Sequence, residues 1–151
     1  MPTGQATLKG RYKVTVYGPE GEEKVARPWS NNVVCTNGKE WLANFLHSSA
    51  LAAATNTARY LAVGTGAGAE SASDTALGTE VSRHTGTVSY VSNQIYQVTA
   101  TFATNSATGA IVEYGLLSSN SAGTLISRDV ESVINVGASD TLEVVYQLTV
   151  S

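Results

Sequence analysis

The sequence predicts an all-β domain, a two-sheet antiparallel β-sandwich of jelly-roll type with one short α-helix near residues 37–47. Three observations predict it. Over residues 141–150, Leu142, Val144, Tyr146, Leu148 and Val150 point one way while Thr141, Glu143, Gln147 and Thr149 point the other, the alternation of a strand with one wet face. Segments of strand type then recur about eight or nine times, separated by Gly, Ser, Asn and Asp turns every 8–12 residues or so. Only one stretch carries apolar residues at helical spacing.

Residues 1–7 lack periodicity and contain Pro2 and Gly4, which reads as a flexible arm. From Leu8 to Tyr17 the chain alternates, with Leu8, Tyr12, Val14 and Val16 facing a core and Lys9, Arg11, Lys13 and Thr15 facing solvent. Gly18-Pro19-Glu20-Gly21 supplies a turn, Glu22 to Trp29 returns as the second arm of a hairpin, and Asn31 to Cys35 makes a further short strand. The helix over 37–47 is capped by Thr36 or Asn37, and Asn37 with Glu40 has the spacing of a capping box. Trp41, Leu42, Phe45 and Leu46 form a stripe wide enough to cover one end of a β core, and His47 suits the negative end of the helix dipole. Ser48 to Thr57 is a loop of small residues, expected to be mobile or to order only against a neighbour.

Tyr60 to Gly64 reads as a strand that stops at glycines. After a polar loop, Leu77 and Val81 predict one loose helical turn that tucks Leu77 under the sheet before the next strand begins at Arg83. The remaining strands are expected at 83–91, 94–102, 111–117, 123–129, 130–136 and 141–150.

The chain of 151 residues suits one domain spanning 1–151. Charged residues make up 14%, against roughly 25% in ordinary soluble domains, a surface suited to being covered by copies of itself or by a partner. A net charge of −3 argues against a nucleic-acid partner, because phosphate binding requires clustered cations. Lys9, Arg11 and Lys13 form the one basic row, and with Trp29 and His84 they are the candidate partner-contact residues. The single Cys35 excludes an internal disulfide and reads as a buried small hydrophobe. With no secretory pattern and no run of about 18 apolar residues, the expectation is synthesis in a cytosol and no membrane partner.

No catalytic or cofactor chemistry is expected. Gly64-Thr65-Gly66-Ala67-Gly68-Ala69 fits a loose dinucleotide fingerprint, but a helix has to open at once and a polar loop follows instead. His47, His84, the serines and Asp74, Asp129 and Asp140 fall in no arrangement that activates a nucleophile, so no enzyme and no small-molecule substrate are expected. Two histidines and one cysteine lie too far apart for a zinc site, and Asp74 and Asp140 read as turn residues rather than calcium ligands. Glu80, Arg83, Glu113 and Arg128 are the expected structural ion pairs, with Glu113, inside the apolar run 111–117, pairing with Arg83 or Arg128 to fix register.

Three stretches together resemble a group of small structural proteins of tailed-bacteriophage virions, of the capsid decoration (cement) or tail-fibre type. They are Asn32-Val33-Val34 with Gly38 and the helix Trp41 to Leu46; Tyr60 to Gly66 with Asp74 to Val81 and Arg83; and Glu113-Tyr114-Gly115-Leu116-Leu117 with Thr124-Leu125 and Arg128. Leu117 stands where such proteins commonly carry Phe. The resemblance implies a virion structural role without catalysis. It leads to the expectation of a decoration protein on the outer capsid surface, bound to the major capsid protein as a homo-oligomer, a trimer. A tail-fibre or tail-tip component that contacts the host receptor is the alternative.

Overall fold

A computed structural model describes residues 7–47, 58–92 and 94–150, and the side chains of all of these save 43–47 and 90. The expected mobile loop over 48–57, and all but the last residue of the expected arm, lie outside the described residues. The fold is all-β. Strands β1 (Leu8–Tyr17), β2 (Glu23–Val34), β3 (Tyr60–Gly64), β4 (Glu80–Thr85), β5 (Thr87–Ser92), β6 (Ile95–Phe102), β7 (Gly109–Leu117), β8 (Leu125–Val136) and β9 (Thr141–Val150) are joined by one helix, α1 (Thr36–His47), between β2 and β3.

Every strand pairing is antiparallel, and the order is β4-β3-β7-β8-β2-β1-β9-β6-β5. The two layers expected as separate sheets are therefore halves of one sheet, continuous through β2 and curled into a nearly closed, barrel-like shape. The two edges of this sheet are consecutive in the chain. β4 ends at Thr85, β5 begins at Thr87, and Gly86 between them donates its N–H to the Arg59 carbonyl at 2.6 Å. Across the opening the His84 ring on β4 lies 4.7 Å from that of Phe102 on β6.

The main core fills the inside of the curl. Tyr12 and Val16 from β1, Leu61 and Val63 from β3, Phe102 from β6, Leu116 from β7 and Leu142 and Tyr146 from β9 are all buried there. Each such side chain contributes about 1.5–3 kcal/mol of transfer free energy. A second, smaller core sits on the outer face of β3, β7 and β8, where Cys35, Ala62, Leu117 and Leu125 meet Leu77. Leu77 is thus tucked against the sheet as expected, but by an extended loop with no helical turn. β4 starts at Glu80 rather than Arg83, and Val81 is left 41% exposed.

The helix begins one residue earlier than expected. The Cys35 carbonyl accepts from the Lys39 N–H at 3.1 Å, which makes Cys35 the N-cap in place of Thr36 or Asn37. The Thr36 N–H donates to the Ala72 carbonyl at 2.8 Å. Gly38 lets α1 lie directly on β8, since a Cβ there would stand 2.7 Å from the Ile126 Cα.

Two long strands replace pairs of expected short ones, and each bends at a bulge. Between Tyr12↔Ser30 and Val14↔Arg27, β1 contributes only Lys13 while β2 contributes Pro28 and Trp29, so the ladder needs no N–H from the proline. Between Ile111↔Ile134 and Glu113↔Val130, β7 contributes only Val112 while β8 contributes Glu131, Ser132 and Val133. β2 and β8 touch as paired strands only at Val33↔Arg128 and Val34↔Ser127 and then separate at these bulges.

Candidate functional site

The most elaborate polar site is built on Glu113. The alternation of β7 turns Glu113 to the outer face, and the loop over 65–79 covers it until it is 0% exposed. Its Oε1 accepts from Gly66 N–H at 2.9 Å and Thr79 N–H at 2.7 Å, and its Oε2 accepts from Gly78 N–H at 2.8 Å. From the neighbouring β8, Arg128 brings Nε to 3.0 Å and Nη2 to 2.8 Å from Oε2. Arg128 also meets Asp74 Oδ2 at 2.9 Å and the Gly68 carbonyl at 3.0 Å. At Gly66 a Cβ would stand 2.6 Å from Glu113 Oε1, so only glycine admits the carboxylate.

The electrostatics follow from these contacts. Burial by itself raises the Glu113 pKa, but the amides of Thr79, Gly78 and Gly66 and the Arg128 guanidinium outweigh it and hold the carboxyl below its usual range. Asp74 is lowered against burial in the same way, by the Ser71 amide and Arg128. The backbone amides of the glycine loop thus form an anion hole, and its occupant is the chain's own carboxylate. The loop that loosely matched a dinucleotide fingerprint is spent on Glu113, and its chemistry is that of a clamp.

Of the expected ion-pair residues, Glu113 meets Arg128 rather than Arg83. Arg83 closes on Glu80 at 2.7 Å and donates to the Ser119 and Ala122 carbonyls, each at 2.8 Å, which ties β4 to the 118–123 turn. Asp74, expected only as a turn residue, also serves as the second partner of Arg128.

The candidate contact residues divide into three groups. Lys9 and Lys13 project from the outer face of β1 and are exposed. Arg11 lies between them but is engaged: its Nε and Nη2 donate to Gln147 Oε1 at 2.9 and 2.6 Å, and its guanidinium lies 4.2 Å from the centre of the Trp29 ring. Gln147 passes the bonding on to Gln97 and Gln97 to Ser89, so one row of side chains crosses β1, β9, β6 and β5. His84 is drawn inward, its Nε2 2.7 Å from Ser106 Oγ, and Ser82 Oγ lies 3.1 Å from that same oxygen. A Ser–His contact becomes a nucleophilic site only with a third group to orient the imidazole, and none is seen here among the described residues. Nor is there, among those residues, any group of three His, Cys, Asp or Glu side chains placed to hold a metal.

Two polar features escaped the sequence reading. Asp129, opposite Tyr114 in the β7–β8 ladder, is 0% exposed, with Oδ2 hydrogen-bonded to Ser30 Oγ and Oδ1 without a partner among the described residues. Burial pushes its pKa up to about 6, Ser30 opposes the rise, and Glu131 and Glu70 add to it. Lys24 bonds both oxygens of Asp140 at 3.0 Å, pinning the start of β2 to the β8–β9 turn. Under α1, an apolar cavity of about 280 Å³ is lined by Leu8, Val34, Trp41, Leu42, Ile126 and Leu148, with no charged group among the described residues that line it.

Comparison with models of known families, with characterised proteins and with solved structures gives no significant match for this chain.

Proposed function

We propose that this protein is a structural component of a tailed-bacteriophage virion, a decoration protein that binds the outer capsid surface and bridges neighbouring major capsid subunits as a homo-oligomer, expected as a trimer. The observation that carries the reading is where the three resembling stretches meet. Gly66, Asp74, Gly78 and Thr79 from one stretch and Glu113 and Arg128 from another converge in the buried clamp, and Gly38 from the remaining stretch lies against Ile126 on the same strand as Arg128. Those residues serve rigidity and no reaction, which suits a protein whose task is to hold others in place. A rigid barrel bound across a subunit boundary adds buried area that the shell lacks by itself and raises the barrier to its opening. Lys9 and Lys13, exposed on β1, are cations available to meet an acidic shell.

Electron microscopy of purified virions labelled with antibody to this protein tests the proposal. Label over the head supports it, and particles without label overturn it. Label at the tail would favour the tail-fibre reading, which draws support from the exposed 120–123 tip that Arg83 holds in shape.

A further inference from the structure

The sheet ends at β4 and at β5, and the two edges are built differently. β4 carries Glu80 and Arg83, which pair with each other, and Arg83 is fastened to the 118–123 turn. Such charges blunt an edge, because a strand docking there would have to desolvate them. β5 reads Thr87-Val88-Ser89-Tyr90-Val91-Ser92, with no charge and no proline. Among the described residues only β6 pairs with it, so one row of its N–H and C=O groups faces away from the sheet. Thr87, Val88, Ser89, Val91 and Ser92 are exposed, whichever face of the strand they lie on. Val88 stands opposite Val98, which is 0% exposed, yet is itself 45% exposed, so β5 carries the inner face of the sheet past the core. The one blunting device is the register shift after Tyr90, and it leaves the rungs from Thr87↔Thr99 to Tyr90↔Tyr96 regular.

We propose that β5 is the contact strand for a second copy of this chain: two β5 strands pair antiparallel about a two-fold axis and join the sheets of two barrels. The row of backbone groups specifies a strand as the occupant, since a strand offers N–H and C=O groups at the matching spacing. The composition specifies an identical strand. A two-fold axis sets each residue beside itself or its near neighbours, so a charged strand would meet its own charge, and β5 carries none. The pairing also covers Val88, at the rim of the core. A six-residue strand is about 20 Å long and falls short of the roughly 800 Å² per partner of a standard interface, so a dissociation constant of about 10–100 μM is expected. This contact goes beyond the virion reading; it closes at two copies and is separate from any three-fold contact on a capsid.

Analytical ultracentrifugation of the full chain at neutral pH, from about 1 μM to about 1 mM, tests the inference, and concentration-dependent pairing is expected within that range. Val88→Lys and Thr87→Lys, on opposite faces of the edge, are each expected to weaken it at least about tenfold by setting like charges side by side. Val133→Lys makes the same change of charge at a similarly exposed valine on β8 and is expected to leave association as it is. All three replace exposed side chains, and circular dichroism checks that each variant is folded. Hydrogen exchange at the two ends of the concentration range shows where the contact lies: amides of 87–92 should slow at the higher concentration and those of 80–85 should not. A chain that stays monomeric throughout, wild-type association in both edge variants, or added protection on β4 in place of β5 would overturn it.

Discussion

At the scale of single residues, two buried carboxylates pull stability in opposite directions with pH. Glu113 has a lowered pKa, so its contribution is complete above the ordinary carboxylate range and is lost as pH falls through the native value. Asp129 has a raised one, about 6, so its contribution is complete below the unfolded value of about 3.9 and is lost as pH rises through about 6. Asp129→Asn should therefore stabilise the protein above pH 6 by up to about 3 kcal/mol and do little in acid, as read from urea unfolding across pH. Glu113→Gln leaves Arg128 and three loop amides without their anion and should cost about 3–5 kcal/mol at neutral pH. Arg128→Met should cost a similar amount, and because both variants break the same pair, the double variant should lose clearly less than their sum. Additive losses would mean that the clamp does not act as a unit. Asp129 was not legible from sequence, since nothing in its neighbours says that β8 bends just beyond it and encloses it.

At the scale of elements, packing and propensity can be set against each other at Gly38. Replacing glycine by alanine inside a helix ordinarily gains about 1 kcal/mol. Here the new methyl group meets the β8 backbone at 2.7 Å, and overpacking of that kind costs about 1–3 kcal/mol. Gly38→Ala is therefore expected to lower the melting temperature, and a rise would mean that α1 can lift off the sheet without loss.

The strand pattern was the most legible part of the sequence because alternation depends only on which side chains face the core. Leu142, Val144 and Tyr146 of β9 and Tyr12, Val14 and Val16 of β1 are buried as that alternation predicts. Gln147 and Thr15, expected on the wet face, are buried as well, Gln147 beneath the Arg11 guanidinium that it bonds, and Val150, expected inward, is 43% exposed at the end of its strand. The breaks expected at Ser30 and after Asp129 fall within a few residues of the two bulges, where the alternation falters but the backbone continues. The helical turn expected at Leu77 did not form because a four-residue spacing is equally satisfied by an extended loop whose amides turn to Glu113. Pairings across the sheet, such as Arg11 with Gln147, depend on long-range register and leave no local trace.

At the scale of the whole molecule, the order of the strands governs how the fold forms. β1 and β9, the first and last strands, are neighbours over their full length, from Leu8↔Val150 to Tyr17↔Thr141. Closing nearly the whole chain into one ring must precede most of the core contacts, so refolding is expected on the millisecond-to-second scale of β-rich domains. Stopped-flow fluorescence of Trp29 and Trp41 would measure it, and folding in microseconds would contradict this account.

That same adjacency decides how the molecule bears load. Leu8 and Val150 face each other at one end of an antiparallel pair, so tension applied through these two points falls on a single rung of the β1–β9 ladder at a time and peels the strands apart like a zip. Tension applied instead at Leu8 and Thr141, opposite ends of the pair, loads all the rungs together in shear. An optical trap should find the barrel weak when pulled by its ends and several times stronger across that diagonal.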